Sequence, residues 1–468
     1  MNAYLCCQIP KIRPPFSYFY TSFKFSDLKT KGHKELKVNI ITLGCAKNLV
    51  DSEILITQLK NNRITVQHES PDMNPDIVII NTCGFIDNAK KESVDTILHY
   101  ADARGRGELT KLYVTGCLSE RYKKELEQEI PQVDAFFGTK ELPALLKRFD
   151  ADYKHELVGE RLTTTAPHYA YMKISEGCDR PCAFCAIPIM RGRHISRPVE
   201  ELIHEARYMA SKGVKELLLI AQDSTYYGLD IYNSRKLADL LKYLSDIESI
   251  EWIRLHYAFP SGFPMDVLDV IRDRSNICNY IDIPLQHASS KILKLMKRGI
   301  NRAGSEKLIH KIREKVPGIA IRTTMMVGHP GETARDFDEL LEFIDSIRFE
   351  RLGVFTYSHE EGTASYLLQD SISKAEKKKR ADQVMHLQEE ISQEINLSYL
   401  NKNMKVIIDR KENNCYIGRT EFDSPEVDNE VIVDATKSHF RIGEFANIHI
   451  TDALPFDLIG EPLIPTTD

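Results

Sequence analysis

The sequence predicts a mixed α/β fold: a doubly wound parallel sheet, a partial barrel of βα units and a small antiparallel β-barrel, in that order. The chain has 468 residues, which is more than one hydrophobic core usually accommodates. Short apolar runs alternate with helical patterns as far as residue 400, and this alternation is typical of parallel sheets. After residue 400, short strands and turn residues follow one another without helices, which predicts the barrel.

The N-terminal domain is expected to span residues 37–150. An amphipathic helix is predicted at residues 48–59, between the first two strands. Uninterrupted apolar runs indicate strands that are buried on both faces, as in a parallel sheet. By this criterion the strands are predicted at residues 38–43, 76–80 and 111–114.

The central domain is expected to span residues 169–400 and to end in a long charged helix at residues 373–400. The basic run at residues 377–380 is predicted to be the solvated face of this helix. In a barrel of βα units, catalytic groups lie on loops at the carboxyl ends of the strands. The strands are predicted at residues 171–175, 216–220, 252–256, 280–284, 321–327 and 351–356.

The C-terminal domain is expected to span residues 401–468, with four strands separated by turn residues. It contains seven Lys and Arg residues and thirteen Asp and Glu residues, so its net charge of −6 equals that of the whole chain. An RNA-binding module should be basic, which argues against a direct tRNA substrate and favours a basic protein partner. The strands are predicted at residues 404–409, 415–420, 430–434 and 445–451.

The remaining segments and the composition indicate a cytoplasmic enzyme. Residues 1–36 are predicted to be a disordered extension, because they lack both a periodic apolar face and a signal-peptide core, and residues 151–168 a polar linker. Apolar residues make up 42% of the chain, and no run approaches the roughly 18 apolar residues of a membrane span. Ten cysteines in such a chain favour metal binding or catalysis over disulfides.

Three cysteines, Cys178, Cys182 and Cys185, are closely spaced just after a predicted strand of the central domain. Three thiolates at this spacing can hold three irons of a 4Fe–4S cluster and leave the fourth iron open. The alternatives are buried free cysteines or a zinc site, for which His194 is the nearest candidate fourth ligand.

A second set, Cys45, Cys83 and Cys117, follows the three predicted strands of the first domain. The carboxyl ends of parallel strands share one edge, so the fold should bring these thiolates together for a second cluster. The alternative is that they are ordinary small buried residues.

Residues 176–185 resemble the radical S-adenosylmethionine (SAM) signature, with Phe184 as the aromatic residue before the third cysteine. The resemblance implies that the open iron binds the amino and carboxylate groups of SAM. It also implies that Gln222 and Asp223 contact the amino end of SAM, and that Gly328 and Glu332 lie in a turn on the adenine side. No side chain is expected to act as a general acid or base.

The order of the domains resembles the methylthiotransferase family, whose C-terminal barrel is the TRAM domain. Residues 43–53, 191–198 and 280–289 are similar to the RimO branch, which modifies the β-carbon of an aspartate in the twelfth small-subunit ribosomal protein. The sister branch, which modifies adenosine in tRNA, usually has Gln-Met-Asn where this chain has Ala46-Lys47-Asn48.

The resemblance implies two 4Fe–4S clusters, SAM and an electron donor such as flavodoxin or ferredoxin. One SAM would methylate sulfur at the first cluster, and the radical formed from another would activate the substrate carbon. The alternatives are the tRNA enzyme and a non-catalytic iron–sulfur sensor. We also expect the acids of the C-terminal barrel to dock the basic ribosomal substrate. These acids are densest at Asp423, Glu426, Asp428 and Glu430.

Overall fold

The computed structural model describes residues 36–71, 74–436 and 438–463. The predicted extension lies outside the described residues except for its last position. The chain forms two compact units, Met1–Thr164 and Thr165–Asp468. None of the helices within the described ranges combines the length and apolar content that a membrane span requires.

The first unit contains a five-stranded parallel sheet in the order β2-β1-β3-β4-β5. Its strands are β1 (Lys37–Thr42), β2 (Thr65–His68), β3 (Ile77–Thr82), β4 (Lys111–Gly116) and β5 (Ala135–Phe136). Its helices are α1 (Ala46–Asn61), α2 (Asp87–Gly105), α3 (Cys117–Glu129) and α4 (Leu142–Leu146).

This sheet is covered on both faces, as predicted. Along β3, Ile77 and Ile79 pack with Leu55 of α1, whereas Val78 and Ile80 belong to a separate core that includes residues of α2 and α3. The three predicted strands are confirmed. The two edge strands β2 and β5 were missed, because one is short and partly polar and the other has only two residues.

The segment predicted as a linker is bound to α1 over much of its length. The Nε of Arg161 lies 3.0 Å from the Glu53 carboxylate, and both side chains are buried. The backbone N–H of Thr164 donates to the same carboxylate at 2.6 Å, and that of Leu162 donates to the Thr57 hydroxyl at 2.8 Å. Residues up to Thr164 therefore belong to the first unit.

The second unit begins with a six-stranded parallel sheet in the order β13-β12-β11-β10-β9-β6, which confirms the partial barrel. Its strands and a small two-stranded ribbon (β7, β8) are β6 (Tyr169–Lys173), β7 (Ser175–Glu176), β8 (Ile195–Ser196), β9 (Glu216–Ile220), β10 (Trp252–Leu255), β11 (Ile277–Asp282), β12 (Ala320–Val327) and β13 (Arg351–Thr356). Its helices are α5 (Ile187–Arg191), α6 (Val199–Ser211), α7 (Leu229–Tyr232), α8 (Leu237–Ser245), α9 (Asp266–Asp273), α10 (Ser290–Leu295), α11 (Arg302–Lys315), α12 (Ala334–Ile347) and α13 (Lys374–Leu397).

The prediction for the basic run on α13 was only half right. Lys378 is exposed, but Lys377 and Arg380 are buried. Lys377 pairs with Asp370 and Arg380 pairs with Glu332, each at 2.6 Å. The run therefore also holds α13 against the sheet, because two of its cations find carboxylates inside the domain.

The C-terminal barrel is closed in the order β14-β15-β16-β18-β17. Its strands are β14 (Asn403–Glu412), β15 (Cys415–Thr420), β16 (Glu430–Asp434), β17 (Phe445–Ala453) and β18 (Asp457–Pro462). The four predicted strands are confirmed, and β18 was missed. It pairs antiparallel with β17 but parallel with β16, so the barrel is not antiparallel throughout.

The expectation that the densest acids of this barrel face a substrate was wrong for Asp423 and Asp428, whereas Glu426 is exposed. Asp423 is buried and pairs with Arg351 at 2.5 Å. Asp428 lies 3.2 Å from Arg322 and accepts a hydrogen bond of 2.8 Å from the Tyr280 hydroxyl. The physical reason is that the partial barrel carries buried arginines, and these bind the acids before any partner can.

The other two acids also have partners within the second unit. The Tyr169 hydroxyl donates to Glu426 at 3.1 Å, and Arg410 pairs with Glu430 at 2.9 Å. A count of charges along the sequence could not reveal this, because it registers the acids and not the groups that face them.

The contact between the partial barrel and the C-terminal barrel is a network of buried ions. Glu216, the first residue of β9, lies 2.9 Å from Arg254 and 2.8 Å from Arg419. Arg419 also pairs with Asp409 at 2.6 Å, and His168 lies 2.8 Å from the same carboxylate. Although burial opposes ionisation, Arg419 and His168 lower the pKa of Asp409 to about 2. These ions hold the C-terminal barrel against the strands of the sheet.

We expect Asp423→Ala to destabilise the second unit by about 3–5 kcal/mol, because it leaves the buried Arg351 without its carboxylate. The matched control is Glu412→Ala, which breaks a solvent-exposed pair with Arg410 in the same barrel and should change stability by less than about 1 kcal/mol. Denaturant unfolding of both variants measures the difference. Equal effects would contradict a stabilising role for the buried pair.

Candidate metal centres

The structure brings Cys45, Cys83 and Cys117 to adjacent strand ends of the first unit. Cys45 precedes α1, Cys83 follows β3, and Cys117 begins α3 directly after β4. The three strands β1, β3 and β4 are neighbours in the sheet and parallel, so the cysteines share its carboxyl edge. Cys45 is exposed, whereas Cys83 and Cys117 are buried. The shared edge agrees with the topology that the sequence predicted, while the cluster itself stays a prediction.

Asn48 connects all three cysteine-bearing segments. Its side-chain Nδ2 donates to the carbonyl oxygens of Leu43, at 2.7 Å, and of Thr82, at 3.0 Å. Its Oδ1 lies 3.8 Å from the Sγ of Cys117, which donates to it. The side chain is fully buried in the first turn of α1. Sequence reasoning missed this role, although Asn48 lies in the stretch used for the family resemblance.

Gly44 allows the loop of Cys45 to approach Cys83 closely. Its φ is +92°, in the region that favours glycine. A Cβ at Gly44 would lie 2.6 Å from the Cβ and 2.9 Å from the Sγ of Cys83. Any larger residue would therefore push the first two cysteines apart.

The second set lies in the loop that follows β7. The backbone N–H of Cys178 donates to the Gly192 carbonyl at 3.0 Å, and that of Cys185 donates to the Cys182 carbonyl at 3.2 Å. Burial raises the pKa of the Cys178 thiol to about 11 and that of Cys185 to about 12. Without a bound metal these two thiols are neutral, and metal binding would release their protons.

Among the described residues, no group of three or more His, Cys, Asp or Glu side chains is arranged around a single metal ion. The Nε2 of His194, the candidate fourth zinc ligand, lies at hydrogen-bond distance, 3.0 Å, from the Ser196 hydroxyl. A 4Fe–4S cluster offers each thiolate its own iron, so its ligands surround it and need not converge on one point. The first set lies on three separate segments and the second in one loop, and both fit a cluster better than a mononuclear zinc ion.

The candidate SAM residues at the end of β9 differ in their contacts. The Nε2 of Gln222 donates to Glu176 at 2.7 Å, while its Oε1 is buried and has no hydrogen-bond partner. Both carboxylate oxygens of Asp223 are occupied: one lies 2.6 Å from Arg180, and the other accepts from Thr225. Gln222 therefore has an acceptor available for a ligand, whereas Asp223 shapes the loop.

Glu332 shapes the turn after β12. One oxygen accepts from the backbone N–H groups of Gly328 and His329, at 2.7 and 3.1 Å, and the other pairs with Arg380. Gly328 has a φ of +79°, and a Cβ there would lie 2.3 Å from the Cγ of Lys377. Only glycine fits this close approach of the turn to α13.

Phe184 provides an apolar wall behind the cysteines. It is buried against Met296, Met326 and Tyr357, and Cys182 and Cys185 pack against the same cluster. Apolar packing around a cluster limits the access of water, which affects its redox properties.

Two further residues near the second set were not predicted. Glu176 binds Lys173 at 2.7 Å and Arg191 at 3.0 Å, and although burial opposes ionisation, these cations lower its pKa to about 2. The Nη1 of Arg298 donates to the Sγ of Cys182 at 3.2 Å. Glu176 starts the signature stretch in the sequence, but nothing in the sequence relates Arg298 to Cys182, which lies 116 residues away.

A partial barrel of six parallel strands with a three-cysteine loop after its first strand defines the class of radical SAM enzymes. Three family models match the chain: the radical SAM superfamily at residues 172–344, the uncharacterised protein family UPF0004 at residues 37–138, and the TRAM domain at residues 402–463. The chain is 64% identical to the ribosomal protein uS12 methylthiotransferase RimO of Cytophaga hutchinsonii, over 93% of this chain and 99% of that protein.

The proteins of the same name from Flavobacterium johnsoniae and Bacteroides thetaiotaomicron are 57% and 51% identical, over 93% and 92% of this chain and 100% and 99% of their own lengths. This chain belongs to the RimO family of radical SAM methylthiotransferases. Enzymes of this family are SAM-dependent transferases that use two 4Fe–4S clusters.

Solved structures support the fold of the chain. The radical SAM methyltransferase TsrM from Kitasatospora setae, with tryptophan and a SAM analogue bound, aligns with a TM-score of 0.52 and 13% identity. The alignment covers 68% of this chain and 72% of that one.

We expect Asn48→Ala to lower the iron bound by reconstituted protein from roughly eight to roughly four atoms per chain, because the three cysteine segments lose their common anchor. The matched control is Gln58→Ala, another buried amide of α1 that bonds only the backbone of Lys154. Iron analysis and EPR spectroscopy measure the outcome. Full iron loading of Asn48→Ala would show that the backbone alone positions the cysteines.

Proposed function

We propose that this chain adds a methylthio group to the β-carbon of an aspartate in ribosomal protein uS12, in the cytoplasm. The observation that carries the proposal is the pair of three-cysteine sets, each at the carboxyl edge of a parallel sheet. Relatives with 51–64% identity over at least 92% of the chain bear the name of this activity. The same proposal makes uS12 the protein partner.

In this proposal, Cys45, Cys83 and Cys117 hold one cluster, and Cys178, Cys182 and Cys185 hold the other. Each set offers three thiolates, so each cluster keeps one iron without a protein ligand. Bound at the second set, a reduced cluster and SAM supply an organic radical, which is needed because a side-chain base with a pKa near 7 cannot remove hydrogen from an unactivated carbon.

The protein residues around the second set bind, orient and exclude water. Gln222 has a buried acceptor oxygen without a partner, and this suits the ammonium group of SAM. Glu176 fixes the amide of Gln222 by accepting from its Nε2. Gly328 and Glu332 give the turn after β12 its shape, and Phe184 excludes water behind the cysteines.

The tRNA enzyme is the alternative from the same family. The names of the relatives favour the protein substrate. An electron donor such as flavodoxin or ferredoxin completes the proposal, since the clusters need a one-electron reductant.

We expect Cys182→Ala to bind roughly four irons and to lose SAM cleavage, because the remaining cluster is held by the first set. Cys83→Ala should also bind roughly four irons, yet it should still cleave SAM to 5′-deoxyadenosine while failing to transfer the methylthio group. The control is Cys278→Ala. Cys278 is buried and belongs to neither set, so this variant should retain both clusters.

The substrate is tested in cells. Mass spectrometry of uS12 and of tRNA is compared between the parent strain, a strain without the gene, and strains complemented with these variants. Loss of the modification from uS12 alone supports the proposal, whereas loss from tRNA alone favours the alternative. Protein that binds iron but forms no 5′-deoxyadenosine under reducing conditions would instead indicate a sensor.

A further inference from the structure

In the described part of the chain, nearly every buried arginine is paired with a carboxylate. Seven arginine side chains are buried among the described residues, and six of them have a carboxylate oxygen within 3.0 Å. Pairing is expected, because a buried cation without a counter-charge is costly. The six pairs are Arg161–Glu53, Arg191–Glu176, Arg254–Glu216, Arg351–Asp423, Arg380–Glu332 and Arg419–Asp409.

Arg298 is the exception. It is 5% exposed, and no carboxylate of the described residues lies within 4.0 Å of its guanidinium. Its Nη1 donates to the Sγ of Cys182 at 3.2 Å, its Nη2 donates to the Pro284 carbonyl, and its Nε is buried without a partner. The groups near it that can become anions are cysteine thiols: Cys182, to which it donates, and Cys185, whose pKa it lowers against the effect of burial.

The neighbouring Arg180 allows a direct comparison, because it lies on the same aromatic ring as Arg298 and has a carboxylate partner. Arg180 and Arg298 both stack on the ring of Phe259, at 4.2 and 4.3 Å from its centroid. Arg180 is neutralised by Asp223 at 2.6 Å, while Arg298 is not. Of the two cations on this ring, Arg180 therefore has a carboxylate partner, whereas Arg298 has the Cys182 sulfur instead.

We propose that Arg298 is the built-in counter-charge of the cluster held by Cys178, Cys182 and Cys185, and that it raises the reduction potential of that cluster. The inference rests on the assignment of these cysteines in the proposed function. A cluster bound by three thiolates is anionic, and reduction by one electron from the external donor adds a further negative charge. A fixed cation beside a ligand sulfur stabilises the reduced state more than the oxidised state, and hydrogen bonds to the sulfurs act in the same direction. Arg298 transfers neither a proton nor an electron in this step. It acts through the Cys182 sulfur and not on the substrate.

The potential is measured by EPR-monitored redox titration of the full chain carrying Cys45→Ala, Cys83→Ala and Cys117→Ala, so that only one cluster contributes. Arg298→Gln should lower the ratio of reduced to oxidised cluster about tenfold at a fixed solution potential, which for one electron corresponds to a fall of about 59 mV. Arg298→Lys keeps the charge and should lie between this variant and the parent. The matched control is Arg313→Gln. Arg313 lies on α11 and pairs with Glu350, so its loss should leave the potential unchanged.

A second measurement uses the iron-free protein, where the cation has no anion beside it. Methionine is similar in length to arginine and has no charge, so Arg298→Met should melt at or above the melting temperature of the iron-free parent. The control, Arg351→Met, leaves the buried Asp423 carboxylate without its cation and should melt at a lower temperature. A structural role for Arg298 predicts a lower melting temperature for Arg298→Met.

Two results would overturn the inference: an unchanged potential in Arg298→Gln with full cluster loading, or a marked loss of stability in iron-free Arg298→Met. Failure of the proposed function looks different, because the parent protein itself would then bind no redox-active cluster at Cys178, Cys182 and Cys185. If Arg298→Gln binds no cluster, the melting experiment decides between a counter-charge and a structural residue.

Discussion

Buried arginines on one face of the six-stranded sheet must be balanced by carboxylates, and much of the second unit is arranged around this requirement. Along β10, Ile253 and Leu255 pack against the helices, so Arg254 between them faces the other way, toward Glu216 and the C-terminal barrel. Arg351 meets the same barrel at Asp423. The C-terminal barrel thereby covers Glu216 and Arg351, the first residues of β9 and β13, and the carboxyl ends of the strands remain for the cysteine loop and the candidate SAM residues.

The central sheet could be predicted from the sequence because its strands are short apolar runs separated by helical patterns, which few other structures produce. The strands that were missed, β2, β5 and β18, lie at sheet edges or at the end of the chain, and their pairing depends on neighbours that local sequence does not reveal. The acidic barrel was misjudged for a related reason. Asp423 and Asp428 look like a solvated surface until the fold places Arg351 and Arg322 opposite them.

The candidate site was predictable where chemistry is visible in the residue type. Cysteines at the ends of strands stand out, and parallel topology brings Cys45, Cys83 and Cys117 to one edge without any knowledge of distances. Asn48 and Arg298 could not be found in this way. Asn48 is important because two carbonyl groups and a thiol surround its side chain. Arg298 is important because it lies beside a cysteine without a carboxylate partner. Both facts depend on contacts that exist only in the folded chain.

The pairing of β18 has a consequence for synthesis on the ribosome. This strand, Asp457–Pro462, lies between β16 and β17 and closes the barrel that carries Asp409 and Asp423. A nascent chain acquires its N-terminal domains first, so the arginines of the sheet emerge long before the barrel that neutralises them can close. The second unit can therefore become fully stable only after β18 has been synthesised, and a chain released before Asp457 would expose unpaired cations to chaperones and proteases.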